Sequence, residues 1–274
     1  MRKIMSNEIK IREFDISNIK EDSVITLIGK RRSGKSFCMK DILYHLRNIP
    51  QGIVMSGTEN SNSHYGTFIP PAFVHNGFDK HVLEKLMLRQ KRMTYKKKSM
   101  PGYSDLDNRA FFIMDDLMYD SKTWLKDKNI KEIFMNARHF SLFYAVLLQY
   151  SLGIPPALRG NVDYIFIFRE NNKAFRRRLY ENWAGCIGSY ELFCQIMDTC
   201  TEDFGCIVID NTTRSNNLEE QVFYYKAKDH GNFKMCSNQS WSFSEKYHTD
   251  NTESELFQNN IQEKQSEKFK VILE

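Results

Sequence analysis

Apolar and polar positions follow two rhythms along this chain. Largely apolar runs recur at Val24–Ile28, Gly52–Gly57, Ala110–Asp116, Leu142–Gln149, Val162–Arg169 and Gly205–Asp210. Short runs of this kind, rich in β-branched and aromatic residues, predict strands buried on both faces. Between them, apolar residues recur at helical spacing in Phe37–Leu46, from Asp79 to about Lys98, in residues 121–138, in Asn172–Trp183 and in Tyr190–Cys200. Strands alternating with helices predict an α/β fold with a mostly parallel central sheet flanked by helices. A weak alternation over Glu8–Phe14 predicts a leading strand, and Gln221–Ala227 a last edge strand. Thr58–Pro71 carries loop chemistry over a length that is often functional. After Lys228 the chain turns polar, and residues 237–265 are rich in Ser, Asn, Glu and Gln, which predicts disorder with a short terminal segment at Phe269–Leu273. The expected organisation is an N-terminal segment at 1–20, one domain at 21–228 and a flexible tail at 229–274. No internal repeat is visible.

Composition narrows this picture modestly. The chain has 274 residues, 41% hydrophobic and 13% aromatic, enough for one large α/β domain or two small ones with a substantial core. Its net charge of +5 is uneven: residues 245–274 carry −3 and the remainder +8. A basic body permits a nucleic-acid partner without demonstrating one. The six cysteines include no Cys-x-x-Cys pair. Four lie between residues 186 and 206, but not at zinc-site spacing, so reduced and mostly buried thiols are expected. The charged N-terminus shows no leader pattern, and the longest apolar run, Phe140–Leu148, is too short to span a bilayer, so a soluble protein is expected.

The chemistry concentrates first in Gly29-Lys30-Arg31-Arg32-Ser33-Gly34-Lys35-Ser36, a Gly-x4-Gly-Lys-Ser pattern between an expected strand and an expected helix. The glycines let backbone N–H groups approach an anion, and the helix beginning near Lys35 points its positive end at the same place. Lys35 would reach the β- and γ-phosphates and Ser36 would hold Mg²⁺, with Phe37 completing the nucleotide-binding stretch. The second concentration is Ala110–Asp116, an apolar strand ending in two carboxylates. There Asp115 would hold Mg²⁺ and Asp116 would polarise an attacking water. Gln149, at the end of a third apolar run, is placed to touch the γ-phosphate or the water. The basic residues Lys85, Arg89, Lys91, Arg92, Lys96, Lys97 and Lys98 mark one expected helix as a solvated face or a DNA-backbone contact. A guanine-reading Asn-Lys-x-Asp motif does not occur.

This ordered set, with Asn136-x-Arg138-His139 before the strand ending in Gln149 and Arg159-Gly160-Asn161-Val162-Asp163 after it, resembles the DNA-packaging ATPases of large nucleocytoplasmic DNA viruses, the poxvirus-like branch of the HerA/FtsK superfamily. The resemblance covers about residues 20–215. It implies a RecA-like P-loop fold and an ATP- and Mg²⁺-dependent motor that moves double-stranded DNA into a capsid. It also implies a homo-oligomeric ring, contact with capsid or membrane-vertex proteins, and a location in the virion or viral factory. In such rings an arginine completes the neighbour's site; Arg138 matches that position best and Arg159 is the second candidate. The superfamily commonly has Glu where this chain has Asp116. No separate nuclease domain is visible, so DNA cutting is not expected. The alternatives are a P-loop small-molecule kinase and a slow nucleotide-gated scaffold.

Overall fold

The computed structural model describes residues 9–151 and 153–247. Strands are β1 (Arg12–Glu13), β2 (Val24–Ile28), β3 (Gly52–Ser56), β4 (Val74–Asn76), β5 (Ala110–Asp115), β6 (Leu142–Leu148), β7 (Tyr164–Phe168), β8 (Cys206–Asp210) and β9 (Val222–Tyr225). Helices are α1 (Lys35–His45), α2 (Glu59–Asn62), α3 (Lys80–Ser99), α4 (Ser121–Trp124), α5 (Lys128–Asn136), α6 (Pro156–Arg159), α7 (Lys173–Trp183), α8 (Tyr190–Cys200) and α9 (Leu218–Gln221). Residues 238–247 are also helical.

The nine strands form one sheet in the order β1-β9-β8-β7-β2-β6-β5-β3-β4. Every residue of β2, β3, β5, β6 and β7 is buried. Period-two geometry sends successive side chains to opposite faces. In β6, Leu142, Tyr144, Val146 and Leu148 join one core, while Phe143, Ala145 and Leu147 join the other. The first core is closed by residues of α3, α5, α7 and α8, among them Leu83, Ile133, Leu179 and Phe193. The second is closed by Cys38, Met39, Ile42 and Leu43 of α1 together with Tyr65, Phe68 and Met235. The largely apolar runs are therefore strands covered on both sides, as the sequence predicts.

Strands β2 to β7 and β9 to β1 pair in parallel, but β8 runs antiparallel to both neighbours. The chain leaves β7, passes along α7 and returns along α8. It thus re-enters the sheet at the edge it left, and β8 must run backwards. The expected leading strand shortens to β1, which pairs with β9, so β9 is not an edge strand. The helix expected over 121–138 is broken: Asp127 accepts from Asn129 N and starts α5 afresh.

Residues 229–247 do not form a free tail. Met235 is buried, its carbonyl accepts from Trp241 Nε1 at 2.8 Å, Ser244 Oγ accepts from Ala72 N at 3.0 Å, and Phe243 stacks on Phe73. The body thus extends past the expected boundary at 228, and the remainder of the expected tail, with Phe269–Leu273, lies outside the described residues. All six cysteines are free, but only Cys38 and Cys206 are buried, fewer than expected. No helix among the described residues is long and apolar enough to cross a membrane.

Candidate active site

The glycine loop joins β2 to α1 at the C-terminal edge of the parallel strands. Gly34 has a φ of +99° and precedes α1 with no side-chain cap, so the first-turn amides are left open to an anion. A Cβ on Gly29 would come within 2.7 Å of Phe168 Cβ and Ser33 Oγ, which keeps the loop against β7. Lys35 is buried, and its Nζ donates to the carbonyls of Gly29 at 2.6 Å and Lys30 at 2.9 Å. The ammonium is thus positioned inside the loop before any phosphate arrives. Burial lowers its pKa, and the carboxylates of Asp115 and Asp116 oppose that shift.

Asp115 ends β5 and is 5% exposed. Its Oδ2 accepts from Ser36 Oγ at 2.9 Å and from Tyr65 Oη at 2.8 Å. Burial raises the Asp115 pKa; the two hydroxyl donors and Lys35 pull the other way. Ser36 and Asp115 offer hard oxygen ligands side by side, a donor set that fits Mg²⁺. Asp116 turns away with a left-handed φ of +53°, a conformation that Asp tolerates better than most residues. Its Oδ1 accepts from Gln149 Nε2, and Arg31 stands 4.0 Å from its Oδ2. Because β6 lies between β2 and β5, the loop, the two carboxylates and Gln149 meet at the ends of three adjacent strands.

The loop after β3 supplies groups that motif reasoning missed. The buried Glu59 accepts from the backbone N–H of Tyr65 at 3.1 Å and of Gly66 at 2.8 Å, fixing the turn that aims Tyr65 at Asp115. His64 Nε2 lies 3.3 Å from the Ser36 carbonyl. The only sequence signal for them was the length of Thr58–Pro71.

The two candidate arginines are elsewhere. Arg138 precedes β6 and pairs with Asp163, whose other oxygen accepts from Val24 N at 2.8 Å. That places it where β2 and β6 begin, roughly 16 Å of strand from the glycine loop. Arg159 donates to Asn182 and lies 5.6 Å from the Trp183 ring centroid, at the far end of α7. Neither therefore joins the P-loop of its own chain. The run Arg176–Arg178 is also engaged: Arg176 is bidentate to Asp198, Arg177 lies over Tyr190 and Arg178 over Phe175. On the last turn of α3, Lys96, Lys97 and Lys98 are exposed; Lys96 Nζ lies 5.7 Å from the Tyr103 ring centroid and Lys97 Nζ donates to Asn108 Oδ1 at 3.4 Å.

Comparison with known proteins matches the model of the family described as poxvirus A32 protein over residues 11–182. Protein L437 of Acanthamoeba polyphaga mimivirus is 37% identical over 224 residues, 81% of this chain and 79% of that protein. Protein 088R of Invertebrate iridescent virus 3 is 37% identical over 232 residues, 80% of this chain and 85% of its own. Among solved structures, the genome packaging NTPase B204 of Sulfolobus turreted icosahedral virus 2, in complex with ATP-gammaS, superposes with a TM-score of 0.51 at 17% identity, covering 76% of this chain and 99% of that one. At that identity the likeness is one of fold.

Proposed function

The chain belongs to the poxvirus A32 protein family, and from that membership we propose that it is an ATP-hydrolysing motor that drives double-stranded viral DNA into the capsid. The observation that carries the hydrolytic part is the meeting of Lys35, Ser36, Asp115, Asp116 and Gln149 at three neighbouring strand ends. The glycine loop binds the phosphates of ATP through backbone N–H groups, and Lys35 moves from the loop carbonyls to the β- and γ-oxygens. Ser36 and Asp115 would hold Mg²⁺, which would supply positive charge beside the transferring phosphoryl group. Asp116 accepts the proton of the attacking water, and Gln149 fixes both the carboxylate and the water. The carboxylate of Asp116 is one methylene shorter than Glu, and the Gln149 bond holds it in place at the strand ends.

Arg138 supports a ring. It lies at the edge opposite its own P-loop, so it completes a site only when that edge meets the next subunit's nucleotide. The exposed lysines at the end of α3 supply the contact to the DNA backbone. Capsid or membrane-vertex proteins dock the ring, and it works in the viral factory or assembling virion.

The test is the ATPase rate of the purified chain with and without double-stranded DNA, at low and moderate salt. A rise with DNA that salt suppresses supports the motor. Hydrolysis indifferent to DNA overturns it in favour of a nucleotide-gated scaffold, and phosphate transfer to a small acceptor overturns it in favour of a kinase.

A further inference from the structure

Beside the glycine loop, on the flank away from Asp115, lies a cavity of about 480 Å³ lined by Arg32, Gly34, Phe37, Phe204 and Lys226, among others. Its two aromatic rings are unusually open for their size: Phe37 is 44% exposed and Phe204 is 70% exposed. Phe204 also stands in a costly conformation. Its φ is +64° and that of Asp203 is +46°, in the region that bulky residues seldom enter. The turn that imposes this is closely packed. Gly205 N donates to the Glu202 carbonyl at 2.8 Å, and a Cβ on Gly205 would meet the Cys200 carbonyl at 2.4 Å. Backbone strain that presents an exposed aromatic ring belongs at a ligand contact rather than at a solvent-facing turn. The ring is close to the loop: a Cβ on Gly34 would sit 3.5 Å from Phe204 Cβ.

The position of the phosphates decides what occupies this cavity. Lys35 and Ser36 serve the β- and γ-phosphates on the Asp115 flank, so the α-phosphate leaves past the first turn of α1, where Phe37 stands. The nucleoside then enters the space between Phe37 and Phe204. We propose that these two rings form the nucleobase slot, with Phe204 as the stacking face, and that the slot selects bases by stacking area rather than by reading their edges. Among the described residues, the polar side chains at the slot are those of Arg32, Asp203 and Lys226, and Lys226 Nζ already lies 3.8 Å from Asp203. Those three side chains are exposed, so no buried side-chain donor or acceptor among the lining residues distinguishes adenine from guanine. The chain therefore uses ATP and GTP comparably and pyrimidine triphosphates less well, because every base offers a π-face but purines offer the larger one.

This inference rests on the nucleotide-hydrolysing reading above, and the test separates the two. KM for ATP is measured for Phe204→Ala and Phe204→Trp, together with inhibition by inorganic tripolyphosphate, which has no base. The expected result is a rise in KM of about ten- to a hundredfold for Phe204→Ala, recovery in Phe204→Trp, and an unmoved tripolyphosphate constant. In Phe204→Trp, indole fluorescence changes on adding ATP or GTP but not on adding tripolyphosphate. A KM within twofold of wild type in Phe204→Ala overturns the slot while leaving the hydrolytic site standing. Hydrolysis surviving in Lys35→Ala overturns the hydrolytic reading itself.

Discussion

Arg138 forms an ion pair with Asp163 at the sheet edge where β2 and β6 begin, on the side opposite the glycine loop. The pair is lopsided: Arg138 is 63% exposed, whereas Asp163 is 8% exposed and also receives the amide of Val24. Arg138 is the exposed partner and Asp163 keeps the Val24 amide, so Arg138→Ala should fold, with a fall in melting temperature that reflects the buried carboxylate left without its cation. If the guanidinium serves the next subunit, turnover should fall about a thousandfold or more with ATP binding retained. Mixing Arg138→Ala with Asp116→Asn should then restore part of the activity, because some interfaces pair an intact arginine with an intact carboxylate. Mixed assemblies that stay inactive remove Arg138 from the catalytic set.

The bond from Gln149 to Asp116 links two side chains that stand 33 residues apart in sequence. Asp116→Asn should bind ATP and lose turnover by a factor of about a hundred or more, since the base is gone while the loop is intact. Gln149→Ala should slow single-turnover hydrolysis with an unaltered ATP dissociation constant. A loss of ATP binding in either variant would assign these residues to the loop's architecture instead of the chemical step.

The central part of this arrangement was legible because its residues carry their chemistry in the local sequence. Gly29–Ser36 needs only a strand before it and a helix after it. The run Ala110–Asp116 announces a buried strand that delivers carboxylates to an edge. What the sequence left open depends on long-range return of the chain. Tyr65 reaches Asp115 through a turn organised by Glu59, and neither residue has a spacing that reveals it. The reversed direction of β8 follows from two consecutive helices, and neither element alone encodes it. Residues 238–247 look like polar tail because Trp241, Phe243 and Ser244 of that segment contact the body through pairs that residues 72, 73 and 235 complete. Arg138 and Arg159 stand in the expected order in sequence, but order does not place them at one edge of the sheet or the other.

On the proposed function, Tyr65 positions the Asp115 carboxylate for Mg²⁺. Its hydroxyl and that of Ser36 share one oxygen of Asp115, and burial keeps the phenol protonated, with its pKa pushed up. Partners behind a metal ligand typically matter ten- to a hundredfold for metal affinity. Tyr65→Phe should therefore need about tenfold more Mg²⁺ for half-maximal ATPase activity and recover near-normal rates at saturating Mg²⁺. A loss of rate that Mg²⁺ does not rescue would mean that Tyr65 contacts the reacting nucleotide.

The last turn of α3 presents Lys96, Lys97 and Lys98 at the surface, with Lys97 reaching Asn108 at 3.4 Å, as Lys91 of the preceding turns reaches Glu132 at 2.9 Å. Replacing the three exposed lysines with glutamine should weaken DNA binding uniformly across sequences. It should also reduce the slope of log affinity against log salt by about three, since each lost phosphate contact removes nearly one unit. Basal ATPase activity without DNA should not change. Equal salt slopes for the variant and the wild type would place the DNA contact on another surface.

Asp115 sets function against stability. Burial raises its pKa above the ordinary aspartate value of 3.8, so the folded chain prefers this carboxyl protonated. A raised acid supports the fold fully below the unfolded-state value and loses that support as pH rises through the folded-state value. Once the pH has risen past that value, the metal-free protein carries a buried charge that Ser36, Tyr65 and Lys35 only partly offset. Asparagine at this position keeps an oxygen for both hydroxyls and carries no charge. In EDTA at neutral pH, Asp115→Asn should melt at a higher temperature than wild type, and the difference should vanish as the pH falls below the ordinary carboxylate range. Adding Mg²⁺ and a non-hydrolysable ATP analogue should reverse the order, because only the wild type gains binding energy from the metal. Turnover in the variant should be lost. If the metal-free variant melts lower than wild type at neutral pH, the ionised carboxylate is itself holding the strand ends together, and its burial is already compensated before any metal binds.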